Sequence, residues 1–129
     1  GYTTAKVHSP FESEFVFDNV KPADVTKAMS PLNAQDLSLE RRTTEYLLKT
    51  NTFVVPFYEL EKAGGIRNGD PRGVALATGR LAVGASELRD LVVASWRVSA
   101  TATVGWPILK VEDVLAGKVD PYDSLYGKD

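Results

Sequence analysis

The sequence predicts a mainly α domain: an antiparallel helical hairpin extended to a small helical bundle by shorter helices, with an extended N-terminal arm. Three observations point there. A stretch rich in Leu, Glu, Arg and Gln begins near Ala34 and continues to Ala63. A run of small and apolar residues fills Pro71 to Val98. A short turn joins the two, and short connections favour antiparallel helices. The chain then divides into an arm over 1–21, a helical domain over 22–117 and an acidic tail over 118–129. The alternative is an α+β fold with Phe11–Phe17, Thr52–Val55 and Ser99–Val104 as strands.

The elements follow in order. In Phe11–Asp18, Phe11, Ser13, Phe15 and Phe17 alternate with Glu12, Glu14, Val16 and Asp18. That period of two reads as a strand, or as an arm laying its phenylalanines on another surface. Pro22–Met29 suits a short helix with Pro22 in first position. Ser30-Pro31 and Asn33–Asp36 supply start signals for a helix over about Ala34–Thr50. Leu39, Thr43, Tyr46, Thr50, Phe53, Phe57 and Leu60 form one stripe, spaced four and three in alternation. Pro56 interrupts it, because proline removes a backbone donor and restricts Val55. Gly64-Gly65 stops the second half, with Lys62 in the last turn.

Ile66–Pro71 reads as a turn. Asp70 is placed to accept from the first free amides of a helix, and Pro71 has none to offer. That helix runs to Val83, with Gly84 as a break and Ser86 as the cap of a second piece to Val98. Leu88, Leu91, Val92, Ser95 and Trp96 mark the expected buried face of the second piece. Gly73, Ala77, Gly79, Ala82 and Gly84 are small enough for another helix to approach closely; each glycine costs about 1 kcal/mol in a helix interior. Ser99–Val104 reads equally as a frayed end, a continuation of the helix or a strand, and Gly105-Trp106-Pro107 ends it. Val111–Ala116 reads as one or two helical turns closed by Gly117. The tail from Asp120 is turn-like.

Composition narrows the function. The 129 residues are 43% hydrophobic and 25% charged, with a formal charge of −2, which suits one globular domain and not a general nucleic-acid binder. The balance is uneven along the chain. Arg67, Arg72, Arg80, Arg89 and Arg97 form a mildly basic middle, and Glu112, Asp113, Asp120, Asp123 and Asp129 an acidic tail. Without cysteine there is no disulfide, no zinc thiolate and no thiol catalysis. No stretch of about 18 uncharged apolar residues is present to span a membrane.

Motifs for chemistry are approached and missed. His8 is the only histidine, in the expected arm. Gly84-Ala-Ser86-Glu-Leu88 resembles a nucleophile elbow without its second glycine. Gly79–Ser86 has phosphate-loop spacing, but Ala85 stands where a lysine must reach the phosphates. Glu59 and Glu61 fall on different helix faces, as solvated groups and not an acid–base pair. Asn68-Gly69-Asp70 lacks the ligand series of a calcium loop.

No catalytic residue, metal site or cofactor is therefore assigned. The expectation is a non-enzymatic structural or interaction subunit of a larger protein assembly, soluble or peripheral, such as an extrinsic subunit of a membrane complex or a virion structural protein. Its partners are other protein subunits and not nucleic acid, and any membrane attachment runs through them. Partner-binding candidates are Phe11, Phe15, Phe17, Arg41, Arg42, Tyr122 and Tyr126. The alternative is a small-molecule binding module or small enzyme, with a pocket between helices near Tyr46, Phe53, Phe57 and Trp96.

Overall fold

The computed structural model describes residues 7–34, 38–99 and 101–126. The chain is mainly α. In order come a π-helical segment, Pro10–Val16, and α1, Phe17–Asn19. Then follow α2, Pro22–Ala28, α3, Leu39–Asn51, and α4, Val54–Lys62. The long α5 spans Pro71–Ser99. After it come β1, Thr103–Val104, β2, Leu109–Lys110, α6, Val111–Leu115, and α7, Tyr122–Tyr126. Two compact units result, one ending at Arg89 and the other beginning at Asp90.

In the first unit the chain between Pro10 and Asn19 is helical and not an extended arm. Residues 1–6 of the expected arm lie outside the described residues. The reason is in the same phenylalanines. Phe11 and Phe15 are four apart, so a helix puts both on one face. Their rings stack with centroids 6.0 Å apart. A helix also satisfies the backbone locally, whereas a lone strand leaves its amides unpaired. Phe15 becomes core, at 5% exposure, and Phe17 falls on the outside. Asn19 closes the segment by donating from Nδ2 to Phe15 O at 2.8 Å.

Helix α2 starts at Pro22 as its sequence requires. Helix α3 starts later than expected. Ser38 caps it, its Oγ accepting from Arg41 N at 3.2 Å, and residues 35–37 lie outside the described residues. The chain breaks at Thr52-Phe53, three residues before Pro56, so α4 begins with that proline inside its first turn. The proposed strand Thr52–Val55 is therefore a turn leading into a helix. Helix α4 stops as the glycines dictate. Gly64 has φ +74°, Gly64 N–H donates to Glu61 O at 2.9 Å, and Gly65 N–H donates to Leu60 O at 2.8 Å. This is the Schellman pattern.

Asp70 opens α5, accepting from Arg72 N at 2.9 Å. Helix α5 then runs unbroken through Gly84, and Ser86 is not a cap. Ser86 donates to Ala82 O at 2.7 Å and accepts Ser30 N–H at 3.1 Å. A mid-helix serine that bonds back four residues needs no break. The buried face of α5 is Gly73, Ala77, Ala82, Ser86 and Asp90. The expected face was wrong: Leu88 is 65% exposed, Val92 59% and Trp96 80%. Small and polar residues win the interior because backbone and side chains from elsewhere press against them. A Cβ on Gly73 would collide with Gly65 O and would lie 2.7 Å from Phe15 Cζ.

Helices α3 and α5 run antiparallel. Arg42 meets Glu87, Tyr46 meets Gly84 and Thr50 meets Arg80. Each step of one turn forward on α3 is a turn backward on α5. The irregular segment Ser30–Asn33 is tied to both helices. Arg89 donates to Ser30 O and Pro31 O at 2.9 and 3.1 Å, and Arg42 donates to Asn33 O at 3.1 Å.

The second unit holds the end of α5, a two-stranded antiparallel hairpin and two short helices. Thr103 pairs with Lys110 and Val104 with Leu109. Among the described residues of Ser99–Val104, the last two form a strand. Gly105, at φ +76°, lets the hairpin turn approach α7. A Cβ there would lie 2.7 Å from Ser124 O, and Trp106 N–H donates to that oxygen at 2.8 Å. Helix α6 ends at Gly117 by the same Schellman pattern, with Lys118 N–H donating to Asp113 O at 2.9 Å. The turn-like tail contains a short helix, α7.

Two outcomes test this packing. Gly73→Ala should destabilise by about 1–3 kcal/mol, because the obstructing groups include backbone. Gly79→Ala, with nothing within 4 Å of its new Cβ, should stabilise by about 0.5–1 kcal/mol. Urea denaturation of both variants reads the two signs.

The start of α5 offers a second test. Hydrogen bonds from the Arg72 side chain and amide hold the Asp70 carboxyl at about 2, below its ordinary 3.8. A depressed carboxylate contributes stability above its unfolded pKa and loses it as pH falls through the folded value. That contribution should persist down to pH 4 and fade toward pH 2. Titration of the Asp70 carboxyl carbon by NMR should show a midpoint near 2, and Arg72→Ala should raise it.

Candidate functional site

The antiparallel pairing of α3 and α5 leaves a half-open cleft of about 810 Å³ in the first unit. Helix α3 supplies Tyr46 and Thr50, one turn apart on one face. The break at Phe53 turns the chain so that Phe53, Phe57 and Tyr58 follow along the same wall. Helix α5 supplies Leu76, Arg80 and Leu81 opposite. The π-helical segment closes one side with Phe11 and Val16. Phe11 meets Phe57 edge to face at 4.9 Å, and Phe57 meets Tyr58 likewise at 5.3 Å. Such edge-to-face pairs are favoured by ring quadrupoles, so the aromatic wall is mutually braced.

Charge is sparse in this cleft. Arg80 and Glu12 are the charged residues lining it. Arg80 donates from Nη2 to Thr50 Oγ1 at 3.0 Å, and its guanidinium lies 4.3 Å over the Phe53 ring. Glu12 is turned to solvent, with His8 Nε2 at 3.3 Å from its carboxylate.

Three of the four residues expected to form a pocket therefore do so: Tyr46, Phe53 and Phe57. They share a stripe of helical period, which survives the Thr52–Phe53 break. Trp96 does not join them. It lies in the second unit and is largely exposed. Sequence reasoning missed Phe11 as a cleft wall, and the signal was its four-residue spacing from Phe15. It also missed Arg80, which no local pattern marks.

The partner-binding candidates scatter. Phe11 lines the cleft and Phe15 is core. Phe17 is exposed on α1. Arg41 pairs with Glu45 on the surface at 3.0 Å. Arg42, only 6% exposed, pairs with Glu87 at 2.9 Å. Tyr122 and Tyr126 are exposed on α7 with ring centroids 5.2 Å apart. Of the carboxylate pair, Glu59 is exposed, but Glu61 is buried, with Arg67 at 3.7 Å.

No protein-family model, no curated protein and no solved structure matches this chain.

The two neighbouring arginines separate buried from exposed charge. Arg42→Ala removes the partner of the partly buried Glu87 and one donor to Asn33 O, and should cost about 1–3 kcal/mol. Arg41→Ala removes an exposed pair and should change stability by less than about 0.5 kcal/mol. Thermal denaturation of both variants measures the difference.

Proposed function

We propose that this chain is a non-enzymatic interaction subunit of a larger protein assembly. What supports the reading is how little apolar surface the chain buries on itself. Among the described residues, Phe15, Ala77 and Ala82 are the buried hydrophobics, and no large side chain is fully enclosed. Meanwhile α3 carries apolar residues on its outer side as well as toward the cleft. Leu47, Leu48 and Val54 line a shallow second hollow of about 510 Å³. A helix apolar on two sides has a second surface to cover.

The proposed partner is protein and not nucleic acid. Arg41, Arg42 and Arg72 each face a carboxylate of this chain at 3.0 Å or less, and the formal charge of −2 does not favour binding to phosphates. Among the described residues no helix is long and apolar enough to cross a membrane. An extrinsic subunit of a membrane complex would be attached through its protein partners, and a virion structural role needs the same surfaces.

Purification of tagged chain from its native extract, followed by sizing and mass spectrometry, tests this. Co-migration with a defined complex, lost on replacing Leu47 and Leu48 by Gln, is the expected result. Elution as a 14.0 kDa monomer from extract and from buffer alike would overturn it.

The aromatic cleft favours a second reading, a small-molecule binding module. Its volume falls within the roughly 300–1,000 Å³ of ligand sites, and apolar walls with a few polar groups are their usual make-up.

A further inference from the structure

Building on that second reading, we propose that the cleft takes a small amphipathic anion, an apolar chain or ring ending in one carboxylate, with Arg80 and Thr50 as its anchor. Two features combine. The walls around Phe11, Phe57, Leu76 and Leu81 are apolar, so they accept the body of such a ligand. One guanidinium is set into them with most of its bonding capacity unused.

The chemistry of Arg80 carries the assignment. A guanidinium has five N–H donors. Here one hydrogen bond is made, to Thr50 Oγ1. Among the described residues no carboxylate lies within ion-pair distance of Arg80, in contrast to Arg41, Arg42, Arg67 and Arg72. The ring of Phe53 beneath it holds the planar fork without neutralising it. A guanidinium in a half-open cleft keeps donors available to a ligand, and a carboxylate matches its geometry with two parallel hydrogen bonds. Thr50 accepts from Arg80, so its own hydroxyl proton is free to donate to the same anion. Tyr46 lies one turn along α3 on the same wall and offers a further hydroxyl.

Glu12, the other charged residue lining the cleft, is turned to solvent beside His8, which leaves the single guanidinium of Arg80 to match a single anionic group.

Calorimetric titration with decanoate and with 1-decanol, both below their aggregation limits, tests the proposal. Decanoate should bind, and Arg80→Gln should weaken it roughly 10- to 100-fold, the range for a charge-assisted hydrogen bond. Decanol should bind weakly and equally to both proteins. Arg80→Lys should recover only part of the loss, because it restores charge without the fork. Gly84→Leu, which fills the space beside Tyr46, should abolish binding of both probes while circular dichroism shows an unchanged helix content.

Equal affinity for decanoate and decanol, lost in Gly84→Leu, would keep the cleft as a ligand site and overturn its selectivity for anions. Absence of binding by either probe would overturn the ligand reading as well. Sedimentation with phosphatidylglycerol vesicles, without uptake of free decanoate, would replace a free ligand with a lipid surface and overturn the proposal.

Discussion

The first unit depends on long side chains that join the antiparallel helices α3 and α5, and the most buried of these links is the Arg42–Glu87 pair. Arg42 is nearly enclosed, Glu87 only partly so, and their atoms meet at 2.9 Å. Burying an arginine is tolerable only where its donors are used. Here the same side chain also holds Asn33 O. One residue thus fixes the helix register and secures the connecting segment that reaches α3. From that contact the other pairings follow at one-turn intervals: Tyr46 against Gly84, then Thr50 against Arg80.

Register explains why α5 buries small residues and exposes large ones. Gly73 accommodates Phe15 and the Gly65 carbonyl, and Ser86 takes the backbone of Ser30. These partners come with backbone of their own, so a bulky side chain on α5 would hold them off. The large residues of α5 are displaced to the outside. The result is an interior of modest apolar content stitched by hydrogen bonds, with large apolar residues of α5 such as Leu88, Val92 and Trp96 exposed.

The cleft is a consequence of the same geometry. The break at Thr52-Phe53 separates α3 from α4. Phe53 and Phe57 then line a space that no described side chain of the first unit fills. Arg80 enters that space from the long helix and stacks on Phe53. The cleft thus combines apolar walls with one guanidinium that bonds Thr50 and lies over the Phe53 ring.

The sequence by itself determined the mainly helical class, the Pro22 and Asp70-Pro71 starts, the glycine stops at Gly64 and Gly117, and the break before Pro56. Each is a local matter of missing amides, fixed φ or positive φ, and local chemistry is written in neighbouring residues. It also placed Tyr46, Phe53 and Phe57 together, because helical periodicity carries over a short break. The rest was decided by tertiary structure. The spacing of Phe11, Phe15 and Phe17 satisfies both a strand and a helix, and packing of Phe15 on Gly73 selects the helix. Gly84 permits a break, but α5 runs through it without one. The face of α5 that is buried, the enclosure of Arg42 beside its exposed neighbour Arg41, and the entry of Arg80 into the cleft all depend on residues thirty to sixty positions away. Periodicity identifies a face of a helix, and only the partner that arrives there determines whether the face is covered.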